Sequence, residues 1–578
     1  SIFTQNQNSG HPAIALYSNI PSSHLITNSL FFDNNFSTSQ SNPTQLASSD
    51  SVDIYGSSFV QVQINVNYLR PIVDIKGNVT NSIFWGSSLP IFTPTSVNAF
   101  NTISVKGLPN CTNCPGGNGD VSPGFFDLND PDGPDDILGT EDDGLRLGAF
   151  SPGINAGIRP DVSLLVPAND ITGKTRDRQY DIGAYEGAYC PGTTLTRLYV
   201  NAASTAANPT GGSWSDALSS LQTAINVAAA CNTVTEIWVA KGVYKTTDTK
   251  DRNRTFSMVN GVAIYGGFAG NETALTQRNP KTNITTISGD IDTTGQEDAH
   301  QIFWNENIGS TAVLDGFTIS GARNTANLNG GAIFNRLSSP VFKNCVIMNN
   351  TSTGANSGGA GMLNASNSNP LVLNCIFDDN EAISGGAVSN IGGSRPIFRN
   401  CVFHNNTATN NGGAMSNVFA TPTLINCTVV RNKAGASGGG VYYNITLAPV
   451  VTNCIFWDNG AVEGKDIGYV VSQGSQAPVV SFSYLLAGYT PCSNCTSSSL
   501  NPVFLSNNNF SGSDGVWGTL DDQLHLRDGS PARNNGNNAV VTDATDVVGQ
   551  PRIQNTTVNM GAYENLYFVT LENGDWNN

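Results

Sequence analysis

The chain of 578 residues is 39% hydrophobic and only 12% charged, and its 27 Lys plus Arg stand against 44 Asp plus Glu, a formal net charge of −17. This balance offers no basic stripe to neutralise phosphates, which argues against nucleic acid as a partner, and no apolar run approaches the ~20 residues of a spanning helix, so no membrane insertion is expected. An acidic surface suits divalent cations instead, and calcium is the cofactor worth asking about.

Residues 1–110 read as the C-terminal part of a first β-helix. Ser1-Ile2-Phe3 with Asn6, then Asn28-Ser29-Leu30-Phe31 and Val79-Thr80-Asn81-Ser82-Ile83-Phe84-Trp85, share one pattern, and the 53 residues from Ser29 to Ser82 make two turns of it. Because Ser1-Ile2-Phe3 already fit the rung, the chain is expected to begin inside this helix, in keeping with Ser1 to Gly10 lacking the charged start and apolar core of a signal peptide. Residues 111–189 form a tail, marked by Cys111-Thr112-Asn113-Cys114, an acidic stretch from Asp127 to Asp143, Ser151-Pro152, Asp170 to Arg176 and Gly183-Ala184-Tyr185-Glu186.

Residues 190–491 read as a second β-helix. Leu198-Tyr199-Val200 is a strand, and Trp214, Leu218, Leu221 and Ile225 follow helical spacing across Ser213 to Ala230. A short amphipathic helix there is expected to cover the open end of the second β-helix. Ile237-Trp238-Val239 and Val262 to Phe268 are its first rungs. From Val341 the pattern becomes regular: Asn344, Asn374, Asn400, Asn426 and Asn453 each precede a Cys, at spacings of 30, 26, 26 and 27. Between them recur Gly330-Gly331, Gly358-Gly359, Gly385-Gly386, Gly412-Gly413 and Gly438-Gly439.

Two residues before each Asn stand Phe342, Val372, Phe398, Leu424 and Val451, and three after it Ile347, Phe377, Phe403, Val429 and Phe456. Apolar alternation of period two makes these strands, and Asn tolerates the left-handed bend between them. About 27 residues per repeat accommodate three short strands and three turns, which predicts an all-β fold of tandem right-handed parallel β-helices stacked rung on rung. Asn350, Asn380, Asn406, Asn432 and Asn459 form a second polar ladder. The five ladder Cys are stacked small apolar residues.

The tail recurs at residues 492–564: Cys492-Ser493-Asn494-Cys495, Gly518 to Asp522, Ser530-Pro531, Asp546 to Arg552 and Gly561-Ala562-Tyr563-Glu564 repeat the first, a tandem duplication. Each tail is expected to cap its helix. Residues 565–578 open a following module.

The runs Leu198 to Val200, Ser213-Trp214, Ile237 to Tyr244 and Tyr265 to Phe268 resemble the start of bacterial right-handed parallel β-helix repeat surface proteins of the Bacteroidetes type. The tails, with Leu145-Arg146-Leu147, Ser151 to Gly157, Asp170 to Arg176 and Asp181 to Glu186, resemble the choice-of-anchor Q domain. The resemblance implies a long, secreted, modular protein, exported by the type IX pathway and held at the outer membrane on the cell surface. Its partners would be neighbouring modules of the same chain, surface polysaccharide, or secretion and anchoring proteins. The second tail departs at Asn559-Met560, where the first has Asp181-Ile182.

Three constellations carry potential chemistry. Asp127, Asn129, Asp130, Asp132, Asp135, Asp142 and Asp143 offer hard oxygen ligands for calcium, and Asp514, Asp521 and Asp522 remain of them in the second copy; the alternative is a solvated acidic turn. Each Cys-x-x-Cys lacks the partners of a zinc site, and local disulfides Cys111–Cys114 and Cys492–Cys495 suit a secreted chain. Cys190 and Cys231 either pair or remain free thiols.

Polysaccharide lyases and polygalacturonases also use β-helices, so catalysis is the competing reading. Asp378 and His404 share an outward position on successive rungs, with Asp379, Arg431 and Asp458 one position later, and a polar groove can be assembled from them. The same face carries Met348, Val430 and Trp457, and it has no Gly-His-Gly or Arg-x-Lys element. The preferred reading is therefore solvated outward residues on a non-catalytic adhesion or scaffolding stalk. Trp85 and Trp457 either stack on sugars or, as preferred, pack beneath the following tail.

Overall fold

The computed structural model describes residues 1–4, 14–16, 23–32, 46–60, 73–86, 97–104, 111–115, 121–157, 167–176, 179–187, 190 and 194–564, the last range less 208, 248, 292–297, 327–329, 355–357, 446, 471–475, 486–491, 498–500 and 555. Asn6 and the module opening at 565–578 lie outside the described residues. The chain divides into two compact units, one comprising Ser1–Thr196 with Gln222–Val234 and Thr249–Asp251, the other the remainder. Both are parallel β-helices. Among the described residues no helix is long and apolar enough to cross a membrane.

In the second unit, eleven strands from Arg197–Val200 to Cys492–Ser493 make a first sheet and ten from Gly242–Lys245 to Thr496–Ser497 a second; seven from Phe303–Glu306 to Ile467–Tyr469 make a third. Pairing is parallel and in register, Phe342↔Val372↔Phe398↔Leu424↔Val451 in the first sheet and Ile347↔Phe377↔Phe403↔Val429↔Phe456 in the second. All ten side chains are 0% exposed, because each rung buries its inner face only on its neighbours. Phe377 and Phe403 stack with ring centroids 5.0 Å apart.

The bend between those sheets is made by Asn344, Asn374, Asn400, Asn426 and Asn453, all at φ of 50–56°. That is the left-handed conformation Asn adopts at small cost, as expected from the repeat. The Cys that follow are buried free thiols, three of them pushed well up by burial (Cys375, Cys401 and Cys454). Asn350, Asn380, Asn406, Asn432 and Asn459 form the second ladder. Each of the first four donates from Nδ2 to the next Oδ1, at 2.9–3.0 Å.

Three details depart from the sequence reading. A fourth strand of two residues follows the second ladder, at Thr351–Ser352, Glu381–Ala382, Thr407–Ala408 and Lys433–Ala434, and one rung earlier at Arg323–Asn324, where Ala322 stands in the place of the Asn. The Gly turn also slips by one at Gly358: Gly359 takes φ 64°, matching Gly330, Gly385, Gly412 and Gly438, and a Cβ there would sit 2.1 Å from the Met362 carbonyl. A third buried column, Asn305-Asn335-Asn364-Asn390-Asn417, links amide to amide at 2.7–2.9 Å. Its four later members stand five residues after those glycines.

The first unit repeats the scheme with Ser on the inner position. Leu30, Ser58 and Ile83 pair in one five-stranded sheet, and the backbone N–H groups of Ser29 and Ser57 donate to the next hydroxyl, Ser57 and Ser82. Both Cys-x-x-Cys segments lie on the final rungs rather than in the tails: Cys111 pairs beside Ala99 and Cys492 beside Val480, and Asn113 and Asn494 make the bend. The structure joins Cys111 to Cys114, Cys492 to Cys495 and Cys190 to Cys231.

Helical structure is shorter than the expected Ser213 to Ala230. A single 3-10 turn at Trp214–Asp216 gives way at Leu218, whose backbone bridges to Tyr199 and Asn201, and the helix runs Leu221–Ala230. Trp214 packs on Tyr199 and Phe268 in the second unit. Helix residues from Gln222 group instead with the first unit, where Asn226 accepts from Asn155 at 2.9 Å and Cys231 meets Cys190.

Candidate functional site

Each tail has little regular structure and lies along the flank of its own helix, not over its end. In the second unit, Ile376, Val402, Val430 and Ile455 on the outer face of the second sheet form one apolar cluster with Phe504, Phe510, Trp517, Leu526, Met560 and Tyr563 of the tail. In the first, Leu30, Phe32 and Val60 meet Leu145, Ala184 and Tyr185. The expected capping tail is thus a lateral cover.

The repeated tail motifs make this docking. Gly183 N–H donates to Asn81 O and Gly561 N–H to Asn453 O, at 2.8 and 2.7 Å; Ala184 and Ala562 N–H donate to the hydroxyls of Ser58 and Thr428. Both glycines have positive φ, and a Cβ would meet Ile83 at 2.7 Å or Ile455 at 2.8 Å. Arg176 pairs with Glu186 at 2.9 Å and Arg552 with Glu564 at 3.3 Å, all four buried. Asp170 and Asp546 each accept from the N–H of that Glu and from two N–H groups of their own turn. Asp181 accepts from Asn155 and Gly187 N–H; Asn559 keeps the first of these contacts with Asn534, so its substitution preserves half the role.

The acidic stretch divides between turns and the same clasp. Asp143 accepts from Gly139 N–H at 2.7 Å and from the Tyr185 hydroxyl, and Asp522 from Gly518 N–H at 2.8 Å and Tyr563 at 2.7 Å. Burial pushes Asp522 up to about 7 and, against Arg552, Glu564 up to about 8. Asp127, Asp135 and Asp514 each accept from a backbone N–H two residues on, and Asp142 accepts from Thr140. The Asp521 carboxylate accepts from Ser513, Asp514 and Thr519, which draws it down to about 2. Asn129, Asp130 and Asp132 are on the same loop, where burial and neighbouring carboxylates raise Asp130. Among the described residues no three His, Cys, Asp or Glu side chains converge as a metal site.

Asp378 and His404 do come together. His404 Nδ1 lies 2.6 Å from Asp378 Oδ1, and Trp517 Nε1 of the tail donates to Asp378 Oδ2 at 2.8 Å. Asp378 is 5% exposed, and the His404 ring is flanked by Phe510 and Trp517, each 5.3 Å away. Neither side chain is the solvated outward group expected, because the tail covers this face. Asp379 holds a left-handed bend at φ 49° and accepts from Asn405; burial raises its carboxyl. Arg431 pairs with Asp458 at 3.3 Å, donates to Asn507 O and lies over Phe510. Trp85 and Trp457 are half-buried against their tails, as the packing reading holds.

Trp517 escaped the sequence reading, although comparing the two copies exposes it. Aligning Gly139 with Gly518 puts Leu138 opposite Trp517, and the shared docking of Asn81 and Asn453 puts Phe32 opposite His404. Phe32 and Leu138 pack in one apolar cluster of the first unit. A polar trio in one copy replaces an apolar contact in the other.

No family model matches the chain, and no curated protein matches it. Among solved structures it is similar to the pectate lyase Pel9A, at a TM-score of 0.33 and 13% identity over 65% of this chain and 97% of that one. A rhamnogalacturonan lyase gives a TM-score of 0.25 and 12% identity over 55% and 92%. Likenesses of this size carry no residue role or reaction over to this chain.

Proposed function

We propose that the chain is a non-catalytic stretch of an extracellular cell-surface protein, a rigid stalk with an adhesive or scaffolding role. One observation carries this reading. The place where carboxylate and imidazole meet is a tail-docking contact that the first unit makes with Phe32 and Leu138. Both Asp378 oxygens are engaged, and Phe510 and Trp517 of the tail flank the His404 ring, so the pair is built into the docking contact. Stacked rungs supply rigidity without a large globular core, and the resemblance to Bacteroidetes surface proteins with choice-of-anchor Q domains supports export and outer-membrane attachment. On this reading the partners are neighbouring modules and surface polysaccharide.

The competing reading, a polysaccharide lyase or glycoside hydrolase, is tested by incubating the chain with acidic and neutral polysaccharides, with and without calcium. No chain cleavage is expected. Asp378→Ala should instead loosen the tail by about 1–3 kcal/mol in denaturant unfolding, since it strands the Trp517 N–H and His404. Cleavage that disappears in Asp378→Ala would make the chain an enzyme.

A further inference from the structure

The outer face of the third sheet in the second unit contributes no side chain to the tail-docking cluster. A groove of about 340 Å³ runs along it, with Leu363, Ser389, Ser416 and Tyr442 in one column, each on the next rung, and Asn411 and Asn444 at the side. Ser389 is 6% exposed and Ser416 2% exposed. Among the described residues neither hydroxyl has a hydrogen-bond partner, although both line the groove. Two adjacent hydroxyls that line the groove without a protein partner are free to pair with whatever fills it. No charged side chain lines the groove among the described residues.

We infer that this groove binds a neutral, hydroxyl-rich linear glycan, an assignment that rests on the adhesive reading and gives it a ligand class and a place. The two serines repeat at the rung spacing, ~4.8 Å, and offer donors and acceptors in series along the solenoid axis. The Tyr442 ring at one end presents apolar surface to the C–H face of a pyranose ring, and Leu363, 3% exposed, forms the floor at the other. A polyuronate or sulfated chain would bury its anionic groups here without a Lys or Arg to receive them. An added peptide strand needs an open sheet edge, whereas this groove lies on a face whose backbone groups already pair with the rungs above and below.

Binding of cellohexaose, xylohexaose, maltohexaose and laminarihexaose to the full chain, with hexagalacturonate as the charged control, tests the assignment by calorimetry. At least one neutral hexaose should bind and hexagalacturonate should not. Ser416→Leu, which fills the groove, and Tyr442→Ala, at its more exposed end, should each weaken that binding at least tenfold with the thermal unfolding midpoint unchanged for Tyr442→Ala. Neutral binding that is equal in both variants, or binding of hexagalacturonate alone, overturns the groove and leaves adhesion standing through another surface. No retention of any of these sugars, nor of the parent polysaccharides, overturns the groove and the adhesive reading together.

Discussion

Asn carries much of this fold at the scale of single residues, because it alone combines tolerance of the left-handed bend with an amide that both donates and accepts. Asn344 to Asn453 use the first property and Asn350 to Asn459 the second. The buried carboxyls of the second tail show a different balance. Asp522 and Glu564 have folded values of about 7 and about 8, above the ~4 of an unfolded carboxyl, so their contribution to docking is full below about pH 4 and is lost as pH rises through 7 to 8. Asp521, drawn down to about 2, and His525, lowered by burial, act in the opposite sense but only toward acid. The thermal midpoint of the second unit should therefore fall from about pH 4 to about pH 8, measured by scanning calorimetry, and Asp522→Asn, which keeps an acceptor for Tyr563, should flatten that fall below about pH 7. An unchanged slope in Asp522→Asn would remove this carboxyl from the account.

The element that matters is the rung, and its inner face was legible from sequence: a period of about 27, inward Phe, Val and Leu, and the Asn before each Cys fix register to the residue. The fourth strand was not, since two residues give no periodicity to read, and neither was the Asn305 to Asn417 column, hidden by the one-residue slip at Gly358. Nor was the placement of the tails, because a lateral cover and an end cap demand the same apolar residues. The columns predict cooperative stability. Asn406 accepts from the N–H and Nδ2 of Asn380 and donates to Asn432 and Phe377 O, so Asn406→Leu leaves several buried groups unpaired. Its cost should exceed about 2 kcal/mol in urea unfolding of the second unit; a loss below about 0.5 kcal/mol would show that the column contributes little.

At the scale of the whole molecule, duplication places the Asp378–His404 pair where the other copy makes an apolar contact. Two copies of one helix-and-tail design differ where Phe32 and Leu138 are exchanged for His404 and Trp517, while the Gly-Ala-Tyr-Glu clasp and its Arg stay the same. On the proposed reading the tail-covered face is a docking contact, and the groove on the third sheet carries the adhesive surface. Hydroxyl-radical footprinting of the native chain tests the covering most directly. With each residue normalised to its rate in denaturant, Trp517 and Phe510, 6% and 3% exposed, should be protected at least tenfold relative to Phe419, which is 63% exposed. Oxidation of Trp517 and Phe510 at the Phe419 level would mean that the tail does not lie on the helix and that Asp378 and His404 stand open to solvent.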